Sequence, residues 1–316
     1  PGQGDFIPLN TEVVKVAMMQ LCREAGVDLL FSCVPVQKEA PNVFRFWGKG
    51  EAFLLESTWF IDGTINGELA SLAGAEIETF LPSLASLPLV FSQVQWEAVL
   101  HYVHEHPNDV KADPEYRCLE GFAQLLSKYH LPFSSLRCFQ AAENGRIVVE
   151  AVQVPAVDGT NPESLSSGVE AASLQALELY KILRNDFPGF SQCRLSGVAQ
   201  SLGMLESRRF HCQSTVFSEE RGQQALLRFP ALGDKKARLV PLGALLPSGV
   251  DKLALAGHGL SALAGIPSAL CTDGVQMVLG ETAGIYAALN VQKGLISEKQ
   301  LRNELAKRAG FSILLV

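Results

Sequence analysis

The chain has 316 residues, of which 47% are apolar and 19% are charged. This composition is typical of a globular protein and excludes an intrinsically disordered chain. The formal net charge of -7 argues against a nucleic-acid partner, because phosphate binding needs clustered lysine and arginine side chains. The apolar runs are short and interrupted by glycine, proline or charge, so we expect no segment that spans a membrane.

The seven cysteines are odd in number and none forms a CxxC pair. Their spacing fits neither a disulfide framework nor the usual zinc and iron–sulfur sites. We therefore expect reduced thiols and a cytoplasmic protein. The chain begins at Pro1 instead of Met, so we expect that a further segment lies upstream.

The first part of the chain has an α/β pattern. Asn10 can cap a helix that Gly26 ends, and Val27–Val34 then predicts a buried strand. This order is that of the second half of a βαβ unit. Two strands joined by a hairpin and one short helix are predicted next, over Val43–Trp47, Ala52–Asp62 and Glu68–Ala73.

The middle of the chain changes to an α+β pattern. Helices are predicted over Gln95–His106, Pro114–His130 and Pro162–Asn185. Strands are predicted over Arg146–Val154 and Arg208–Phe217, and Glu219–Lys236 is expected to be a surface connection.

The last third returns to the α/β pattern. Lys252–Ala256 predicts a buried strand that enters the turn Gly257-His258-Gly259. Asp273–Asn290 and Ser297–Ala309 predict helices, the second of them capped by Ser297. The whole chain is thus predicted to be α/β at both ends with an α+β insertion between them.

The turn after the last strand is the most informative local feature. Glycines that follow a parallel strand let a ligand approach the backbone, because no Cβ is in the way. Gly257 and Gly259 have this position. The pattern is not a primary dinucleotide fingerprint, since Asp273 falls at the start of a helix and not at the end of a second strand. Alternatively, the two glycines only let the strand pack on the helix at 279–289.

The same turn nearly matches a nucleophile elbow around Ser261, so a serine hydrolase is an alternative. The elbow needs a small residue two places after the serine, and Leu263 is not small.

Two other groups of residues leave a structural and a functional interpretation open. Arg208 and Arg209 form either a surface salt bridge or a substrate contact, and the three histidines His101, His104 and His106 fit a solvated helix end better than a metal site.

Several segments together resemble the FAD-dependent oxidoreductases with a glutathione-reductase-like flavin fold. FIDGTINGELASLAGA at Phe60–Ala75 is similar to the family's IDATGDGDLAALAGA, and LGETAGIYAAL at Leu279–Leu289 is similar to its lGqAAGtAAAL. Six further segments match in the family's order: Thr11–Val34, Trp96–Val110, Asp158–Glu163, Phe187–Phe190, Gly203–Arg209 and Leu246–Ser261.

The resemblance implies a partial FAD-binding domain, Rossmann-like and of the glutathione-reductase type, with an inserted α+β substrate domain. The expected boundaries are 1–75 and 226–316 for the FAD-binding domain and 76–225 for the insertion. The resemblance also implies that this chain transfers a hydride or an electron pair between a small molecule and FAD. The residues that it places near the cofactor are Gly257, His258, Gly259, Ser261, Gly280 and Gly284, and it places Arg208 and Arg209 toward the substrate.

The chain also departs from the family pattern. The phosphate-binding GxGxxG is absent, so a separate N-terminal segment or chain is expected to complete the FAD site. His258 stands where the family has arginine, Cys271 aligns with another arginine, and the ATG turn is Gly63-Thr64-Ile65. These departures favour, as the alternative, a cofactor-free binding or scaffold protein derived from the flavin fold.

Overall fold

A computed structural model gives the structure of the chain. It describes residues 9–79, 83–204, 208–219, 225–230, 236–263, 270–308 and 314–315. The helices are α1 (Thr11–Glu24), α2 (Glu68–Ala73), α3 (Trp96–Glu105), α4 (Ala123–Leu126), α5 (Pro162–Asp186), α6 (Asp273–Lys293) and α7 (Glu298–Leu305). A 3-10 helix covers Leu242–Leu245.

The strands are β1 (Cys33–Ala40), β2 (Val43–Gly48), β3 (Glu51–Glu56), β4 (Phe60–Asp62), β5 (Ile77–Thr79), β6 (Ser83–Ser86), β7 (Leu89–Ser92), β8 (Val110–Ala112), β9 (Cys118–Gly121), β10 (Leu136–Gln140), β11 (Ile147–Glu150), β12 (Gln153–Val157), β13 (Arg194–Val198), β14 (Gly203–Met204), β15 (Arg208–Phe210), β16 (Phe217–Ser218), β17 (Leu227–Phe229), β18 (Arg238–Val240) and β19 (Leu253–Leu255). Helices and strands alternate with antiparallel hairpins, so the protein is mixed α/β.

The chain divides into two units. One contains Pro1–Leu29 and Ser83–Met204, and the other contains Leu30–Pro82 and Leu205–Val316. Helix α1 therefore groups with the middle of the chain. The division says nothing of which part binds a cofactor, so the roles expected for 1–75, 76–225 and 226–316 stay predictions.

The first unit is built on a six-stranded antiparallel sheet in the order β13-β7-β11-β10-β9-β8. Helix α5 contributes Ala172, Ala176, Leu179 and Leu183 to its core, and their spacing puts all four on one helical face. Asn161 caps this helix by accepting hydrogen bonds from the backbone N–H groups of two residues in its first turn. A three-stranded sheet, β12-β6-β14, completes the unit.

The second unit contains the candidate site. Its antiparallel sheets have the orders β1-β2-β3, β15-β5 and β16-β18-β17, and β19 pairs with β4. Among the described strand pairs, only β4 and β19 are parallel. Helix α6 packs Leu279, Ala283 and Tyr286 into the core of this unit, beside Phe210 and Phe60. Ser297 and Gln300 form a capping box at the start of α7, as predicted for Ser297.

The predicted buried strand Val27–Val34 is wrong. Residues 25–31 form no regular element, and Leu30 and Phe31 are 64% and 68% exposed. The strand that follows, β1, begins at Cys33 and belongs to an antiparallel meander. An apolar run identifies a buried strand only when neighbouring strands cover it, and no described strand pairs with residues 27–31. Helix α1, whose predicted Asn10 cap is confirmed, likewise buries none of its residues.

Three further segments differ from their predictions, two of them because strand pairing overrides the local pattern. In the predicted helix Pro114–His130, β9 pairs with β10 and only α4 is helical. Glu219–Lys236 is not only a surface connection, since it contains β17, which pairs with the buried β18. The single strand predicted over Arg208–Phe217 is interrupted between β15 and β16. None of the described helices is long and apolar enough to cross a lipid bilayer.

Candidate functional site

The candidate site lies where the two parallel strands end. The register pairs Phe60 with Leu253 and Asp62 with Leu255, and the Ala256 N–H donates a 2.8 Å hydrogen bond to the Asp62 carbonyl. Both strands thus present their carboxyl ends at one edge. Ligands of α/β proteins bind at this edge of a parallel sheet. The turns at 62–67 and 257–261 therefore form the candidate site.

Asp62 fixes the first of these turns. Its side chain is 1% exposed, and its Oδ1 accepts hydrogen bonds from the Thr64 N–H at 3.0 Å and the Thr64 hydroxyl at 2.6 Å. Its Oδ2 accepts a 2.8 Å bond from the Ala70 N–H inside α2. Three donors satisfy the buried carboxyl group, so Asp62 joins the end of β4 to α2.

Asp62 was missed as a site residue in the sequence. A sign was available in the sequence: Asp62 ends a predicted strand, and Thr64 follows two places later. At this spacing an aspartate side chain can accept hydrogen bonds from the local backbone.

Gly257 is required by the backbone of the neighbouring turn. A Cβ at this position would lie 2.0 Å from the Thr64 carbonyl oxygen and 3.1 Å from its carbon. The φ of Gly257 is outside the left-handed region, so space alone demands glycine here. The group that approaches Gly257 closely in this structure is protein backbone, and the predicted approach of a ligand stays a prediction.

The ring of Phe210 occupies the space beside Gly259. A Cβ at Gly259 would lie 3.0 Å from two ring carbons, and a Cβ at Gly67 would lie 2.2 Å from one of them. Phe210 is fully buried, and its N–H donates a 3.0 Å hydrogen bond to the Gly259 carbonyl. The two turns therefore pack against one aromatic ring.

Ser261 and Arg209 also belong to this packing. The Ser261 hydroxyl lies 2.9 Å from the Thr215 hydroxyl, and Arg209 Nη1 donates to the Ala262 carbonyl. Both residues are buried, whereas Arg208 is half-buried on the strand beside them. His258 is half-buried between the two glycines. The structure thus brings together Arg209 and the predicted cofactor contacts of the 257–261 turn.

Gly280 and Gly284 lie elsewhere on the second unit. Both are half-buried positions of α6, next to the buried residues Leu279 and Ala283. A Cβ at either glycine would meet no described atom within 4 Å. Tight helix packing, which would explain such glycines in a helix, is therefore not seen among the described residues.

Two alternative sites find no support in the described residues. The hydroxyl of Ser261 bonds Thr215 and no histidine, so this serine has no base of the kind that a hydrolase needs. The three histidines make separate contacts: His101 pairs with Glu105, His104 contacts the Tyr116 ring, and His106 stacks on Tyr102. Within the described ranges, no three His, Cys, Asp or Glu side chains are placed to hold a metal ion.

A cavity of about 380 Å³ opens at the opposite, amino ends of the parallel strands. Trp59 and Tyr286 contribute its aromatic walls, with ring centroids 5.4 Å apart. Lys252, which immediately precedes β19, lies at the cavity. Because the cavity is at the other end of these strands, it does not belong to the candidate site.

A family model described as FAD dependent oxidoreductase matches residues 2–228 of the chain. A comparison with curated proteins finds no match. Among solved structures, the chain is similar to p-nitrophenol 4-monooxygenase PnpA from Pseudomonas putida DLL-E4, with a TM-score of 0.47, 13% identity and coverage of 94% of this chain and 58% of that one. It is also similar to the flavin-dependent monooxygenase PieE in complex with FAD and substrate, with a TM-score of 0.47, 10% identity and coverage of 93% and 40%. The chain thus spans about half the length of these two structures.

The first prediction concerns Gly257. We expect Gly257→Ala to lower the free energy of unfolding by about 1–3 kcal/mol, because the added carbon must displace the Thr64 carbonyl. Gly63→Ala is the matched control, since a Cβ there meets no described atom within 4 Å. Urea unfolding of both variants measures the difference, and equal stability of the two would contradict the packing described here.

The second prediction concerns Cys212, whose thiol donates a 3.5 Å hydrogen bond to the Phe210 carbonyl and lies beside the Ser261 backbone. Burial raises the pKa of this thiol from 9.0 to about 11, and the Ser261 backbone opposes the shift. The unfolded chain therefore loses this proton at lower pH than the folded chain. The free energy of unfolding should then fall between about pH 9 and pH 11. In Cys212→Ser the fall should be shallower, by at most about 1.4 kcal/mol per pH unit, and a slope identical to that of the wild type would rule out this origin.

Proposed function

Because the chain belongs to the FAD-dependent oxidoreductase family, whose model matches residues 2–228, we propose that it transfers a hydride or an electron pair between a small-molecule substrate and FAD. The family match is the observation that carries this proposal. The cofactor of the family is FAD, and the electron-transfer step and the substrate are the parts that we propose.

The residues at the carboxyl ends of β4 and β19 fit a flavin cofactor. A buried carboxyl oxygen of Glu68 has no hydrogen-bond donor among the described residues, and FAD carries hydroxyl and ring N–H donors. His258 adds a half-buried imidazole at the same edge, and Ser261 adds a hydroxyl group. We propose that the cofactor contacts are Gly257, His258, Gly259 and Ser261 on this edge and Gly280 and Gly284 on α6.

FAD, when bound, supplies the redox chemistry, and the protein supplies binding, orientation and the exclusion of water. The described contacts support such roles. Thr64 and Phe210 hold the 257–259 turn in one conformation, and the Thr215 hydroxyl holds that of Ser261. Arg209 anchors the same turn through the Ala262 carbonyl. We propose that Arg208, half-buried on the same strand, is directed toward the substrate and that Arg209 acts by holding the turn.

The domain roles are part of the same proposal. We assign 1–75 and 226–316 to a FAD-binding domain of the glutathione-reductase type, and 76–225 to an inserted substrate domain. Support comes from the β4–β19 pair, which joins a residue range from each of the two assigned parts. A reducing compartment such as the cytoplasm remains our proposal, and it rests on the cysteine spacing in the sequence.

We further propose that a separate N-terminal segment or chain supplies the phosphate-binding glycines. The sequence contains no GxGxxG. The residues before β1 expose apolar side chains that such a segment could cover, among them Leu30 and Phe31.

A cofactor-free scaffold is the second candidate function. The observation in its favour is that Thr64 and Phe210 already fill the space beside Gly257 and Gly259. In a scaffold the two glycines would serve packing alone. FAD titration of the purified protein separates the two candidates, because bound flavin gives a stoichiometric absorbance band and a scaffold stays colourless.

The third prediction uses the same titration. We expect Gly280→Ala and Gly284→Ala to lower the flavin-to-protein ratio while raising the free energy of unfolding by about 0.5–1 kcal/mol each, because alanine favours a helix and meets no described atom. Gly274→Ala, in the first turn of α6, is the control, since it has the same open surroundings and should change stability alone. Normal flavin content in both variants would remove these glycines from the site, and a wild-type protein that binds no FAD would favour the scaffold.

A further inference from the structure

Glu68 has a buried carboxyl oxygen that nothing in the described part of the chain satisfies. The residue lies in the first turn of α2, and its Oε2 is out of contact with solvent and has no hydrogen-bond partner among the described residues. Its backbone N–H, in contrast, donates a 2.9 Å hydrogen bond to Thr64 Oγ1. Leaving a buried acceptor without a donor destabilises the folded state.

Three donors of this turn are already in use. Asp62 takes the Thr64 N–H, the Thr64 hydroxyl and the Ala70 N–H. Glu68 can therefore take none of these three donors unless an Asp62 contact is broken. An apolar side chain of similar length would fill the same place without the loss.

The favourable interaction of a carboxylate with the N-terminus of a helix does not require the carboxylate to be buried. A glutamate in the first turn of a helix is stabilising even when its carboxyl group is in solvent. Glu163, in the first turn of α5, is exposed in this way. The burial of Glu68 Oε2 thus needs a separate explanation.

The position of Glu68 supplies that explanation. It directly follows Gly67, which packs against the same Phe210 ring as Gly259. The unsatisfied oxygen thus belongs to the edge where we place the cofactor. A carboxyl group repels the pyrophosphate of FAD and attracts its uncharged donors.

We propose that Glu68 Oε2 accepts a hydrogen bond from the flavin half of FAD, from a ribityl hydroxyl or a ring N–H. This inference rests on the proposed function and adds a specific residue to it. Glu68 is a cofactor-binding residue in this role, and the energy lost in the free protein is recovered when the donor arrives.

Glu68→Met tests the proposal with two independent measurements. Removing the unsatisfied oxygen should raise the melting temperature of the protein without FAD by about 2–5 °C. Losing the acceptor should weaken FAD binding about 10-fold to 100-fold, measured by the quenching of flavin fluorescence. Glu68→Gln keeps a carbonyl acceptor and should bind FAD within about tenfold of the wild type. Glu163→Met is the control: it loses only the interaction with the helix end, so it should lower the melting temperature slightly and leave FAD binding unchanged.

Each other result contradicts a defined part of the proposal. A lower melting temperature of Glu68→Met without FAD would mean that the carboxyl group stabilises the turn itself, which overturns the inference. Wild-type affinity of Glu68→Met for FAD overturns it as well and leaves the proposed function intact. A wild-type protein that binds no FAD overturns both. Equal weakening of ADP, used as a competitor without the flavin half, would overturn the assignment to that half.

Discussion

The parallel pairing of β4 with β19 is the constraint on which the candidate site depends. It brings two distant parts of the chain to one edge, where both strands must turn away within a small space. The Thr64 carbonyl then lies where a Cβ of residue 257 would be. The Phe210 ring lies where a Cβ of residue 67 or residue 259 would be, so glycine is needed at all three positions. Any larger residue at these positions would displace backbone or a buried aromatic ring, so the packing of the strand ends fixes three glycines at once.

The two acidic residues of the first turn have opposite environments. Asp62 is buried and accepts three hydrogen bonds, and it therefore stabilises the junction of β4 with α2. Glu68 is six residues away along the chain, and its buried oxygen lacks a donor among the described residues. The turn thus contains one carboxyl group whose hydrogen bonds are satisfied, Asp62, and one buried acceptor without a described donor, Glu68.

Features fixed by local interactions were predictable from the sequence, and features fixed by distant contacts were not. The caps at Asn10 and Ser297 were predicted because each depends on backbone groups in the next helical turn. Val27–Val34 was mispredicted because its apolar run does not reveal whether other strands cover it, and the strand inside Glu219–Lys236 was missed because it is defined by pairing with β18, which lies outside that segment. The glycine turn at 257–259 was located by its pattern, but the pattern could not reveal that Thr64 and Phe210 fill the adjacent space.

Two features of the second unit favour the proposed ligand-binding protein over a scaffold. A helical glycine destabilises a protein by roughly 0.5–1 kcal/mol relative to alanine, and α6 keeps Gly280 and Gly284 where a Cβ would meet no described atom. A buried acceptor without a donor destabilises by about 1–3 kcal/mol, and Glu68 is such a residue among those described. Packing explains Gly257 and Gly259, but it explains neither of these two features. A ligand that approaches α6 closely and donates a hydrogen bond to Glu68 would offset both losses, and a protein that binds no cofactor would bear them without compensation.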